Sequence, residues 1–589
     1  MSRAKNHVKR AMWAIFAMAL IPLYNNCGAG FQTAAPRSIA SDALNFPPLT
    51  GSSGEKVFAC SDTSTFSVAE TRRLTKTQYE NSIKALLGPA ALASVATLVE
   101  DIPFDLAIEQ PTEFANNFYQ STVDTFLPVA DQLAGFVLGD VALQTKIGGN
   151  CLATAEPDAA CFDSLVANFG AKVFRRPLSG TEISTIRSLA TTGTKAEKIT
   201  NLFEYVFQSP DFLYRIEAGT GGDGTLASPF RLSSYEIASR LSFQIWDSMP
   251  DDTLFALAAQ DKLLDPAVVR QQVDRMFESP LAAEKLKIFT KFWLAMNNTP
   301  HSMKNFPVSP AAFIGDLQTT GYKDEVIRET QEFVNHVVFK KGGSYRDLMT
   351  SPESFARTDA LASVYGHAKV TGSAPAQMAN GRKGLLMRPI FLAGTSSLTS
   401  PVIRGVRARS RVLCMDTNPP STQILEQGPD ISTAAMIQMH STRERWTLKT
   451  NQPACIGCHA TFNSYGFVFE GFDSFGRQRS QEVNYNADGS ILATHAIDTT
   501  GSIVTPEGTW QVNGPEQFVE DLGESTSGPA CMTKQIHRYY HLSAETKEDS
   551  CALAKAFDGL KGDGSQPGSV LEALKRSIAS DYIGLKRVK

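Results

Sequence analysis

The chain has 589 residues, 42% of them apolar and 20% charged, a globular composition with room for roughly four domains of ordinary size. Its 56 Lys and Arg against 60 Asp and Glu leave a formal net charge of −4. That near balance argues against a nucleic-acid partner, because a polyanion calls for a basic excess or a basic stripe.

The N-terminus reads as an export signal. Lys5, Lys9 and Arg10 precede an uncharged apolar run from Ala11 to Leu23, shorter than the roughly 20 residues needed to cross a bilayer. Cys27-Gly28 follows, as at a bacterial lipoprotein processing site, although Asn25 and Asn26 stand where such sites carry small residues. The expectation is a lipoprotein-type signal over residues 1–27 and a lipid on Cys27. That lipid would anchor an exported protein to a membrane, the outer membrane, on its periplasmic or surface face. Simple secretion and an uncleaved anchor are the alternatives. Residues 28–67, rich in Gly, Ala, Ser and Pro, read as a flexible tether.

Helical signals dominate from there on. Thr75-Lys-Thr-Gln78 has the capping-box spacing ahead of Tyr79, Ile83, Leu86 and Leu87, and Gly88-Pro89 stops the pattern. Ser179 to Glu182 and Ser233 to Glu236 repeat the device. Helical periodicity continues over 268–297 and 322–338. Between about 481 and 512 the chain turns to Thr, Ile, Val, Asn and Gly, with turn pairs at Asp488-Gly489 and Glu507-Gly508, which predicts a small β-hairpin or meander. A last helical stretch starts near Pro515 and carries Cys531, His537 and His541.

Nine cysteines sort by place. Cys27 belongs to the leader, and Cys455 and Cys458 to a motif treated below. Cys60, Cys151, Cys161, Cys414, Cys531 and Cys551 remain. An even remainder in an exported chain favours disulfides; six buried thiols is the alternative. Short loops suggest Cys151–Cys161 and Cys531–Cys551, which leaves Cys60–Cys414.

Cys455-Ile456-Gly457-Cys458-His459 is a c-type haem attachment pattern. Two thiols three positions apart can each add to a haem vinyl group, and the adjacent imidazole then sits as the proximal iron ligand. The rivals are a Cys455–Cys458 disulfide with His459 incidental, and zinc held by Cys455, Cys458, His537 and His541. Candidate sixth ligands are Met436, Met439, Met532 and His440, with Met415, His495, His537 and His541 also within sequence reach; a five-coordinate iron is open too. No Ser-His-Asp, P-loop or His-Glu-x-x-His pattern competes for the chemistry, and no catalytic residue is assigned.

Around that motif, Gly384-Leu385-Leu386, Thr399-Ser400-Pro401-Val402-Ile403-Arg404-Gly405, Arg443-Glu444-Arg445, Gly466-Phe467 and Glu470-Gly471-Phe472-Asp473 through Gly476-Arg477 together resemble the planctomycete-type cytochrome-like domain three. Residues 72–88, with Arg72-Arg73-Leu74-Thr75, resemble planctomycete-type domain three. Phe174-Arg175-Arg176-Pro177-Leu178 with Ser209-Pro210-Asp211-Phe212-Leu213 resembles domain five, Ser234 to Ser242 with Trp246 domain four, and Ile497-Asp498 through Cys531 domain two. The family usually reads Met-Asp-Pro-Ile-Gly where this chain has Phe462-Asn463-Ser464-Tyr465-Gly466, so any role of that Met or Asp near the haem is expected to be lost or moved. Arg404 and Arg477 could meet haem propionates, but a structural ion pair is the expected use of each.

The resemblance implies one haem c and a mainly α, multi-segment protein: helical domains over 68–140, 150–222 and 228–360, a cytochrome-like domain over 378–480 and a C-terminal domain over 481–589. The family's activity is undefined. The leading expectation is a redox or electron-transfer role with a partner redox protein; the alternatives are a peroxidase-like haem enzyme and a surface scaffold with structural or absent haem.

Overall fold

The computed structural model describes residues 57–60, 72–100, 102, 120–154, 157–188, 193–225, 227–296, 311–314, 317, 321–394, 397–415, 429–562, 568–580 and 582–586. Cys27, the signal and most of the 28–67 segment lie outside them. Residues 57–60 do not behave as a tether. Val57 and Phe58 are buried, Phe58 meets Phe557 edge-on at 5.9 Å, and Cys60 is bonded to Cys551. The Phe58 ring and a covalent link dock this stretch on helix Ser550–Lys561.

The protein is mainly α, with strands only as short two-stranded antiparallel pairs among the described residues. Capping chemistry sets the helix starts. The Thr75 hydroxyl accepts from the Gln78 backbone N–H while Gln78 reaches back to Thr75, and Thr194/Glu197, Ser233/Glu236 and Ser441/Glu444 do the same, satisfying N–H groups that the first turn leaves without partners. Gly88, at φ 94°, ends helix Lys76–Leu87, and Pro89 opens the next. The pattern expected as one helix over 268–297 is two, Pro266–Phe277 and Pro280–Trp293. Pro280 has no N–H to continue the first helix, and Ser279 caps the second.

Two large apolar cores organise these helices. One gathers Leu74, Tyr79, Leu133, Phe169, Phe203 and Phe212 from the first third of the chain. The other draws Leu241, Phe289, Phe469, Phe518, Phe462 and Leu574, so that the segments drawn at 228–360, 378–480 and 481–589 share one interior. The first core is tied down by Arg175. This residue sits at φ 57° just past helix Ala171–Phe174 and donates to the carbonyls of Asp211, Phe212 and Tyr214. Arg176 beside it pairs with Glu182 and Asp211. The Arg-Arg-Pro-Leu and Ser-Pro-Asp-Phe-Leu blocks are therefore two sides of one packed joint. Asp247 bridges segments in the same way, accepting from Gln78 at 2.8 Å and from Lys285 at 2.6 Å.

The β-region is two hairpins. Gln481–Tyr485 pairs with Ile491–Ala496, with an irregularity at Asn484/Tyr485, and Thr500–Thr505 pairs with Gly508–Asn513. The Asp488-Gly489 and Glu507-Gly508 turns fall at the two reversals.

Cys151 is bonded to Cys161. The other expected pairs are replaced by Cys60–Cys551 and Cys414–Cys531. Cys531 and Cys551 lie on different helices, Ser527–His541 and Ser550–Lys561, and each faces a distant strand of chain rather than the other. Proximity in sequence did not decide the partner; packing of the two helices did.

Candidate functional site

The Cys-x-x-Cys-His motif opens helix Pro453–Phe467, with Pro453 in its first turn, where the missing proline N–H costs nothing. Cys455 and Cys458, three positions apart on adjacent turns, are both free thiols, while the other six described cysteines are paired. Cys458 is exposed, Cys455 half-buried, and Ile456 between them is 44% exposed. The expected rival disulfide Cys455–Cys458 is therefore not formed.

His459, one residue on, is half-buried. Its Nδ1 lies 2.9 Å from the Asn463 Oδ1, one helical turn later. Asn463 is buried and donates through Nδ2 to the Thr450 hydroxyl at 2.8 Å, which in turn donates to the Trp446 carbonyl at 2.7 Å. The Phe462 ring packs against the imidazole at 4.5 Å between centroids. Asn463, where the family pattern has Asp, contacts the histidine in this chain. The i, i+4 spacing of His459 and Asn463 was legible as a same-face pair; the Thr450 leg comes from the preceding helix, Thr442–Thr450, and was not.

Helix Pro401–Arg407 crosses the motif helix at two glycines. A β-carbon on Gly466 would lie 1.7 Å from the Pro401 carbonyl oxygen, and one on Gly405 2.3 Å from that of Phe462. Arg404, fully buried, donates to the carbonyls of Leu392, Phe469, Phe472 and Asp473 and pairs with Glu470 at 3.3 Å. Arg477 pairs with Asp473 at 2.6 Å and donates to the Phe313 carbonyl. Both arginines serve the ion-pair and carbonyl reading rather than an outward anion.

A cleft of about 500 Å³ lies beside helix Thr442–Thr450, lined by His440, Arg443, Glu444, Glu470, Glu482 and Asp498 among others. Burial pushes Glu470 above the ordinary carboxylate range against the pull of Arg404 and Arg479. Burial acts the same way on Glu482, but hydrogen bonds from Thr442 and Asn484 outweigh it and hold that carboxyl low.

The sixth-ligand candidates are spread. Met436 and Met439 sit on helix Ala434–Met439 with His440 at its C-cap, and Met439 is 67% exposed. Met532 is a buried core side chain of helix Ser527–His541. Met415 lies 3.7 Å from the Tyr465 hydroxyl, and the His495 Nε2 is 2.6 Å from the Ile437 carbonyl. The zinc set is not assembled: among the described residues no three His, Cys, Asp or Glu side chains converge to hold a metal. His537 and His541 stack on each other at 4.8 Å, with His537 facing Asp549 and His541 held between Gln244 and Ser577.

Three family models match the chain, each described as a protein of unknown function: PSD5 (DUF1595) over residues 161–217, PSD4 (DUF1592) over 232–367 and PSCyt3 (DUF1588) over 382–482. No curated protein and no solved structure matches it. The third match contains the whole motif helix and the Gly405–Gly466 crossing. The chain carries, in order, the planctomycete-type domain five, domain four and cytochrome-like domain three families.

Proposed function

We propose that this is an exported, lipid-anchored protein carrying one covalently attached haem c, and that it moves electrons to or from a partner redox protein. The observation that carries the reading is the pair of free thiols, Cys455 and Cys458, on the first turns of one helix beside His459, in a chain whose other described cysteines are all oxidised. In an oxidising compartment two thiols three positions apart on one helix would normally be consumed by a further bond. Two thioether links would use them both. The donor set suits the group: two accessible thiols, and an imidazole whose Nδ1 is engaged while Nε2 makes no hydrogen bond among the described residues.

A bound haem would supply a one-electron ferric–ferrous couple. The chain's own residues do the rest. Cys455 and Cys458 hold the group to the helix, His459 offers Nε2 as the ligating nitrogen, and the Arg404 carbonyl hub keeps helix Pro401–Arg407 locked under the motif helix. Lipidation of Cys27 would place the protein at the outer membrane, on its periplasmic or surface face. Its near-neutral charge supports no nucleic-acid partner.

The test is spectroscopic. Full-length protein matured with the haem-attachment machinery and purified is titrated between its oxidised and reduced states. Reversible one-electron cycling of a low-spin haem, without peroxide-driven oxidation of a small donor, supports the reading. A high-spin ferric spectrum with rapid peroxide turnover assigns the protein to enzymes instead.

A further inference from the structure

The hydrogen bonds around Asn463 orient its amide. The Thr450 hydroxyl carries one proton, and it goes to the Trp446 carbonyl at 2.7 Å. With its proton placed there, that oxygen accepts from the Asn463 amide nitrogen 2.8 Å away. The amide oxygen is then the atom facing His459 at 2.9 Å. An amide oxygen has no proton to give, so the proton in that contact is on His459 Nδ1. The neutral imidazole is consequently held as the Nδ1–H tautomer, with its lone pair on Nε2. Burial of Asn463 and Thr450 keeps water from competing.

We infer that Asn463 is the positioning residue of the haem ligand: it selects the His459 tautomer that ligates through Nε2, and as a neutral acceptor it keeps the reduction potential above the value a carboxylate at the same place would impose. The inference rests on the haem reading above. Its physics is that of a ligand's outer partner. A group accepting from the distal imidazole nitrogen fixes ring and tautomer, and a charged acceptor draws the Nδ1 proton more strongly, making the ring a more basic donor that favours the ferric state. Asn463 can accept but carries no charge, so it performs the first task and only weakly the second. An aspartate fits the same space, because the Thr450 hydroxyl can turn to donate to the carboxylate once the amide N–H is gone.

Asn463→Asp and wild-type protein, each matured with haem, are compared by redox titration. Haem stays attached through denaturation and acid extraction in both, and in Asn463→Asp the ferric–ferrous equilibrium shifts toward ferric by roughly tenfold, about 59 mV for a one-electron couple. An unchanged or raised potential with haem retained overturns the inference. A second readout needs no haem. In full-length protein made without the attachment machinery and labelled with ¹⁵N-histidine, the His459 ring is the Nδ1–H tautomer, and in Asn463→Ala it moves toward Nε2–H. An Nε2–H ring in the wild-type chain also overturns the inference. If wild-type protein never retains haem, the haem reading fails, and the tautomer still decides the role of Asn463.

Discussion

Gly466 lies against Pro401 so closely that a β-carbon on it would stand 1.7 Å from the Pro401 carbonyl oxygen. This contact sets how deep the motif helix sits, and with it where Cys455, Cys458 and His459 emerge. Both partners in the clash are backbone on packed helices, so neither can swing away. Gly466→Ala should destabilise the fold by about 3 kcal/mol, read as a lower urea midpoint. Gly135 is the control: it is on an exposed face of helix Gln120–Gly139 with nothing within 4 Å of its β-carbon position. Gly135→Ala should gain about 0.5–1 kcal/mol through helix propensity. Equal effects of the two changes would remove the argument for a backbone crossing.

Cys414–Cys531 joins the segment ahead of the motif to helix Ser527–His541 across 117 residues. In the chain-entropy account a loop of that size stabilises by about 4–5 kcal/mol. Non-reducing peptide mapping should yield Cys60 with Cys551, Cys151 with Cys161 and Cys414 with Cys531. The double change Cys414→Ser and Cys531→Ser should lower the denaturation midpoint markedly. Recovery of a Cys531–Cys551 peptide would contradict the packing described here.

Glu545 is buried beside Arg538 and Lys534. Burial alone would raise its pKa, but Arg538 and then Lys534 outweigh that and hold it down, to about 2. In the unfolded chain the same group titrates at about 4.3. Its folded value is depressed, so its stabilisation is complete above about pH 4.3 and is lost as pH falls toward about 2, a contribution of about 3 kcal/mol. Glu545→Gln should cost about 3 kcal/mol at pH 7, because it removes the carboxylate that Arg538 and Lys534 face at this buried site. Urea midpoints of the two proteins should converge as pH is lowered through that window; a gap that stays constant to pH 2 would show the carboxylate is not the source.

Mass spectrometry of the mature N-terminus should find a diacylglyceryl cysteine at Cys27. Cleavage at another position, giving unlipidated soluble protein, would overturn the anchoring proposal while leaving the rest untouched. Cys27→Ser should release the protein from membranes.

Local chemistry was legible in the sequence because local physics produced it. Thr75 with Gln78, Ser179 with Glu182 and Ser233 with Glu236 cap helices where their spacing places them, and both hairpin turns fall at their Gly pairs. What depends on distant parts of the chain was not legible. Cys551 pairs with Cys60, 491 positions away, rather than with the cysteine 20 positions before it. Arg404 reads as half of an ion pair in isolation, and it does pair with Glu470, but only the fold brings four carbonyls around it. The Pro280 break was visible in sequence yet hidden by apolar periodicity running through it. At the site, the motif and its Asn463 neighbour were in view, but the Thr450 hydroxyl that orients Asn463 belongs to another helix.

The central claim is that Cys455 and Cys458 carry haem, and retention of haem through denaturation tests it most directly. Full-length protein matured with the haem-attachment machinery is unfolded, extracted with acidified organic solvent, and assayed for haem remaining on the polypeptide. One haem per chain should stay on the wild-type protein, and none on Cys455→Ser/Cys458→Ser. Wild-type protein that gives up all its haem to the solvent, or never acquires any, with Cys455 and Cys458 recovered as free thiols or bonded to each other, would contradict the account.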